Sequence, residues 1–197
     1  ADMGKSSDIR ILEATCQFEA VPFRAPLKFG GRIVDSSYLI NIDVAVENRA
    51  GRNESGFGSM PLGNVWAWPT DSVSAEQTEA AMRLFAERVT ELANRYPNYG
   101  HPLEIIFQIS SEYSHLGSSV PKELDCDEDM PELAQLVAAS PLDAALHDAF
   151  GRVNHINSYN GLSSEYMNAD LSEYLDDQFA GEYLDQYTSR DPKPYLP

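Results

Sequence analysis

Apolar and polar residues alternate through the first part of the chain and then change period. Ile9, Ile11, Cys16 and Phe18 lie in an interrupted alternation that predicts a first strand from about Ile9 to Phe18. The pattern is cleaner from Tyr38 onward. Tyr38, Ile40, Ile42, Val44 and Val46 share one face there, with Asn41, Asp43 and Glu47 on the other. A period of two with β-branched residues marks a half-buried strand. Asn48-Arg49-Ala50-Gly51 supplies turn chemistry, so Asn53 to Met60 reads as the returning strand of a hairpin. Gly56 and Gly58 weaken that strand and predict close backbone approach or a bulge.

After Pro69 the period becomes helical. Ser74-Ala75-Glu76-Gln77 is a capping box, and Ala81, Leu84, Phe85, Val89, Leu92 and Tyr96 form an apolar stripe that ends before Pro97. His101-Pro102 predicts a second helix, with Ile105, Ile106, Ile109, Tyr113 and Leu116 on one face and Gly117 as its stop. Ser140-Pro141-Leu142-Asp143 reads as the start of a third, whose buried face is Leu142, Leu146, Ala149, Phe150 and Val153. A further amphipathic helix is expected over 171–187, and Arg190 to Pro194 reads as a rigid linker. Strands first and helices after predict an α+β fold: a three-stranded antiparallel meander followed by a helical bundle. Residues 1–153 form the expected domain and 154–197 a helical extension.

Composition narrows the function classes. The 197 residues are 43% hydrophobic, enough for a buried core, and no apolar run reaches the ~20 residues of a membrane span. The net charge of −17 argues against nucleic acid, which is met by clustered Lys and Arg. Acids outnumber bases 13 to 10 over residues 1–100 and 18 to 4 over residues 101–197, so an anionic ligand would be met in the front half. Glu123 to Asp129 carries five acids in seven residues without EF-hand spacing and reads as a solvated loop. Cys16 and Cys126 are too few for a disulfide framework. With no apolar signal segment after Lys5, they predict reduced thiols and a cytoplasmic setting.

Two stretches carry a resemblance. Asn41-Ile42-Asp43-Val44-Ala45-Val46-Glu47-Asn48-Arg49-Ala50-Gly51, running into Ser55-Gly56-Phe57-Gly58-Ser59-Met60-Pro61, is similar to a strand, a turn and a G-x-G strand exit. Ala139 to Gly151, ASPLDAALHDAFG, is similar to an A-L-x-D-A-x-x-G helix. In this order they resemble the N-terminal capping domain of the enolase superfamily, of the mandelate racemase and muconate lactonizing enzyme type, from about Ile9 to Gly151. The resemblance implies a lid over a catalytic (β/α)₈ barrel that this chain does not contain. It also implies the parent chemistry: Mg²⁺-assisted abstraction of the α-proton of a hydroxy or sugar acid, followed by dehydration or racemisation. The base and the metal ligands would lie on barrel strands, so neither catalytic residues nor a metal site are expected on this chain. A homo-oligomeric parent enzyme is likewise implied only by likeness.

In such lids two loops set substrate choice. Here they match Glu19 to Arg32 and Gly58 to Trp68. The first holds Phe23, Arg24, Lys28, Phe29 and Arg32, and the second Met60 and Trp66. Fixed cations among aromatic faces suit a small carboxylate, because rings that exclude water strengthen the ion pair. Phe23, Arg24, Lys28, Phe29, Met60 and Trp66 are therefore the candidate substrate-binding residues, while packing is the plainer reading of Trp66 and Trp68. Asp143 and His147 stand one helical turn apart but lack a third ligand, Asp148 and His155 read as solvent-exposed, and Glu112, Tyr113 and His115 read as surface groups. Two rival readings remain. One is a non-catalytic binding or interaction module that kept the fold. The other, ranked last, is a metal-dependent hydrolase built on Asp143, His147 and Asp148.

Overall fold

The computed structural model describes residues 4–29 and 31–188. Three antiparallel strands, β1 (Ile9–Phe29), β2 (Arg32–Asn48) and β3 (Asn53–Pro61), form one sheet in the order β1-β2-β3. Helices α1 (Asn64–Ala67), α2 (Ala75–Arg95), α3 (Pro102–Ser110), α4 (Tyr113–Glu123) and α5 (Glu132–Asn154) follow. This is the expected α+β meander with its helices. None of the described helices is long and apolar enough to cross a membrane.

The strand pattern explains itself once registered. Ile40, Ile42, Val44 and Val46 of β2 are buried against the helices. In β1 the register slips between Ile11 and Glu13, so the exposed Leu12 sits in a bulge and the inward side switches from Ile9 and Ile11 to Ala14, Cys16 and Phe18. That slip is the interruption in the alternation. The turn between β2 and β3 is organised by the fully buried Asn48. Its Oδ1 accepts from the amides of Ala50 and Arg52, and its Nδ2 donates to Asn154 Oδ1 at the end of α5.

The G-x-G of β3 meets α5 backbone to backbone. A Cβ on Gly56 would lie 2.2 Å from the Ala145 carbonyl oxygen and 2.3 Å from the Ala149 nitrogen. A Cβ on Gly58 would lie 2.0 Å from the Pro141 carbonyl oxygen. The predicted close approach is therefore present, and no larger residue fits. Asp148, on the same helix, accepts the Phe57 amide at 3.0 Å and pairs with Arg152. It serves the sheet edge instead of solvent alone.

Several expectations are corrected. Glu19 to Arg32 is not a loop: β1 and β2 stay paired to Phe29 and Arg32, forming a long arm, because nothing in that stretch forbids ladder bonds except at one break. Ser140-Pro141 does not begin a helix, since α5 starts nine residues earlier, after Pro131. The Val137 carbonyl, which Pro141 cannot serve, accepts instead from Ser140 Oγ at 2.9 Å. Gly117 does not stop a helix. It lies inside α4, where its missing side chain admits Gln135, and the break falls at Ser111-Glu112, where Ser110 and Ser111 hydroxyls bind back to α3 carbonyls. Tyr113 is core, edge-on to Phe85 at 5.7 Å, and burial pushes its hydroxyl pKa up. No long helix forms over 171–187. Asp170 and Asp176 side chains take the amides of Ser172 and Gln178, giving short 3₁₀ turns at Leu171–Glu173, Asp177–Phe179 and Leu184–Gln186. The linker Arg190 to Pro194 lies outside the described residues.

The tail straps onto the body through buried polar groups. His101 caps α3: its Nδ1 accepts from the Leu103 amide at 3.2 Å, and its Nε2 lies 2.9 Å from the Gly161 carbonyl. These partners require a neutral ring protonated on Nε2. Burial, and then His147 whose ring centroid is 6.0 Å away, push His101 down to about 3.

Two outcomes follow from this packing. Gly58→Ala should destabilise the fold by about 3 kcal/mol, the upper part of the overpacking range, as a lowered midpoint in urea unfolding. For His101, the unfolded state takes up a proton near the ordinary 6.5 while the folded state does so near 3. The stability that this group contributes is therefore present above 6.5 and lost as the pH falls towards 3. Between those values His101→Asn should have a stability–pH slope shallower by about 1.4 kcal/mol per pH unit, the value of one proton. Parallel slopes in the two proteins would refute the assignment.

Candidate functional site

The distal arm does not project freely. Its tip returns to the body, where Arg32 Nη2 donates to the carbonyls of Thr70 and, at 3.2 Å, Val73. That segment is held in turn by the acidic loop after α4. Glu128 Oε1 accepts Trp68 Nε1 at 2.8 Å, and its Oε2 accepts Thr70 Oγ1 at 2.7 Å. The loop of Glu123 to Asp129 is thus more than a solvated run. Glu128 is half-buried, Glu123 pairs with Arg88, and Asp129 accepts from Ser118.

Between the arm and the short helix α1 lies a groove of about 610 Å³, within the ~300–1,000 Å³ range of small-molecule sites. The arm contributes Val21, Phe23, Leu27, Lys28, Phe29 and Val34, and the opposite wall is Pro61, Val65 and Trp66. Lys28 is the one charged residue among the described residues of its lining. The turn that presents Trp66 is rigid for local reasons. Gly63 enters it at φ 53, and Asn64 Nδ2 donates to the Ala75 carbonyl and to Thr78 Oγ1 at 2.9 and 3.0 Å, tying α1 to the start of α2. Trp66 is 51% exposed, whereas its neighbour Trp68 is 1% exposed and belongs to the core.

Of the six candidate residues, the groove brings together Phe23, Lys28, Phe29 and Trp66. Arg24 stands exposed in the irregular part of the arm, and Met60, paired with Ile40 in the sheet, packs on the core. Val21, Leu27, Val34 and Val65 complete the walls and were missed, because their contribution depends on the arm folding back. Chemically the arrangement offers an apolar slot with one ammonium at its edge. It can hold an aliphatic or aromatic body and orient one anionic group, with the Ser36 and Ser37 hydroxyls as further polar groups in the lining.

A second groove, of about 660 Å³, lies at the other end of the sheet beside Lys5, Asp8, Arg49, Tyr99, Glu104 and Asn168. Its charges are engaged internally. Asp8 is 3.5 Å from Arg49, and Asn168 Nδ2 bridges Asp8 and Glu104. Burial raises the Asp8 carboxyl pKa, against the lowering effect of those bonds. The contacts serve to dock the tail. His147 Nε2 lies 3.5 Å from Asp143 Oδ1, and among the described residues no group of three His, Cys, Asp or Glu side chains is placed to hold a metal ion. Neither thiol is disulfide-bonded, and burial pushes Cys16 up to about 11.

No family model matches the chain, and no curated protein matches it. Among solved structures it is similar to an enolase from Bradyrhizobium complexed with magnesium and mandelic acid, at 18% identity and a TM-score of 0.46, over 75% of this chain and 33% of that one. It is also similar to the L-Ala-D/L-Glu epimerase from Bacillus subtilis, solved as a substrate-liganded complex, at 17% identity and a TM-score of 0.40, over 73% of this chain and 31% of that one. This chain spans about a third of the length of each.

Proposed function

We propose that this chain is the substrate-specificity cap of a mandelate racemase-like enzyme of the enolase superfamily. The groove between the arm and the Trp66 turn forms the apolar wall of a pocket for a small carboxylate. One observation carries the reading. Phe23, Lys28 and Phe29 from one end of the chain and Trp66 from a separate turn line a single groove with a single cation. An apolar slot with one ammonium discriminates by shape along its length and by charge at one point, which suits an organic acid better than a polyanion or a neutral sugar.

In this reading the reacting carbon faces a (β/α)₈ barrel joined through residues 154–197, and the parent reaction is α-proton abstraction from a hydroxy or sugar acid, ending in dehydration or racemisation. The Mg²⁺ that this chemistry implies would stabilise the enediolate. Its ligands would lie on the barrel, and this chain's own side chains would bind and orient the substrate. Lys28 attracts the carboxylate or a neighbouring anionic group, while Phe23, Phe29 and Trp66 strip water from the hydrocarbon body.

Titration with mandelate, read by Trp66 fluorescence and checked with Trp66→Phe, tests the assignment. Lys28→Met should weaken mandelate about fivefold, the effect of an ion pair of about 1 kcal/mol at a partly exposed site. Neutral mandelamide should bind the two proteins alike. Equal mandelate affinity in Lys28→Met, or no preference for mandelate over the amide in the unaltered chain, would exclude the groove as a carboxylate site.

A further inference from the structure

The arm is a continuous ladder except at one place. Pro22 pairs with Ser36, and the next pair is Leu27 with Val34, so Phe23, Arg24, Ala25 and Pro26 on β1 face the single residue Asp35 on β2. Two prolines bound this break, and neither can donate a ladder bond. Beyond it the distal piece is short and exposed: Leu27 is 58% and Ile33 76% accessible. Little apolar burial holds that piece down, yet it carries Lys28 and Phe29 of the groove. The tie from Arg32 to the carbonyls of Thr70 and Val73 is a charge-assisted bond to backbone groups that are themselves fixed. Thr70 is held by the Glu128 carboxylate, which also takes the indole N–H of the buried Trp68. Arg32 does not line the groove.

From this geometry we infer that Arg32 and Glu128 are positioning residues, a two-tier latch that holds the distal arm about the Phe23–Pro26 break and so sets how far the groove is preformed. The latch itself is independent of any ligand. Its consequence for binding rests on the carboxylate reading given above. A latch of this kind raises affinity without touching the bound molecule, because an arm already in place has less ordering left to lose on binding. Glu128 acts one step removed: it fixes Thr70, and Thr70 offers the carbonyl.

Hydrogen exchange on the full chain, measured without ligand, tests the latch directly. Arg32→Ala should speed exchange of the Leu27–Val34 amides at least about tenfold, while the core amides of α2 and α5 and the thermal midpoint stay at their original values. Arg32→Lys should restore part of the protection, since an ammonium can still donate to a carbonyl. Glu128→Gln should have a smaller effect in the same segment, because the carboxylate gives Trp68 and Thr70 one oxygen each and the amide replaces one of those acceptors with a donor NH₂. Combined with Arg32→Ala it should add little, as residues in one chain of contacts are non-additive. Unchanged exchange over Leu27–Val34 in Arg32→Ala overturns the proposal. So does faster exchange that extends equally into α5, which would mark Arg32 as a general stabilising residue. Mandelate titration of Arg32→Ala should show a loss of about fivefold. If the unaltered chain binds no mandelate while the arm still loosens in Arg32→Ala, the pocket reading falls and the latch stands. If mandelate binds and the arm does not loosen, the latch falls alone.

Discussion

The structure depends on a place where a strand and a helix touch through their backbones. Gly56 and Gly58 of β3 lie so close to Pro141, Ala145 and Ala149 of α5 that there is no room for a Cβ. Side chains ordinarily keep a helix about 10 Å from a sheet, the separation that also holds between packed sheets. Here their absence lets α5 settle onto β3, and Asp148 can then reach the Phe57 amide. The contact fixes the sheet against the longest helix. Asn48 and Asn154 lock the end of that helix to the β2–β3 turn, and α2 closes the other side of the core through Met82, Phe85 and Val89. The two stretches that carry the sequence resemblance are the two partners in this contact. What they encode is a packing solution, and the chemistry must be sought elsewhere in the fold.

With the body fixed in that way, the far end of the sheet is free to extend. The β1–β2 ladder runs well past the part covered by helices, and its side chains there meet each other, the Trp66 turn and the segment from Pro69 to Val73. A ladder leaving its core would present an open apolar edge, a liability that proteins blunt by bending or covering it. The break at Phe23–Pro26 and the Arg32 tie bend this one back, and the concavity so made is the groove. The charge distribution fits: between Ala20 and Val34 the chain has three bases and no acid, whereas acids dominate the back half. The arm is the basic, apolar part of an acidic protein.

Some of this was legible in the residues themselves. Period-two alternation in Tyr38 to Val46, the Asn48–Gly51 turn, the Ser74–Gln77 capping box and the glycines of β3 are local signals. Each holds because a few neighbouring residues decide it: side-chain period, a cap, or the lack of a Cβ. Four of the six candidate binding residues also lie together, since aromatic and cationic side chains in a stretch without acids have few uses in a core. The sequence therefore determined the α+β order, the turn positions and the segment whose aromatic and cationic side chains line the groove.

Tertiary structure decided the rest, where local signals compete. Ser140-Pro141 has the chemistry of a helix start, yet burial of Ala138, Ala139 and Val137 carries α5 through it, and Ser140 satisfies the carbonyl that the proline abandons. The resemblance implies a loop at Glu19 to Arg32, yet the segment pairs with the limb that follows it as a hairpin, Leu27 against Val34 and Phe29 against Arg32. Tyr174 and its neighbours have helical spacing, but Asp side chains take the local amides and only short turns survive. Glu128 looked like one more solvated acid, and its bonds to Trp68 and Thr70 exist only because two loops nearly sixty residues apart meet in space. Periodicity reports which side of an element is buried. Which elements meet is settled by long-range packing, whose energy is shared among residues that no local window contains.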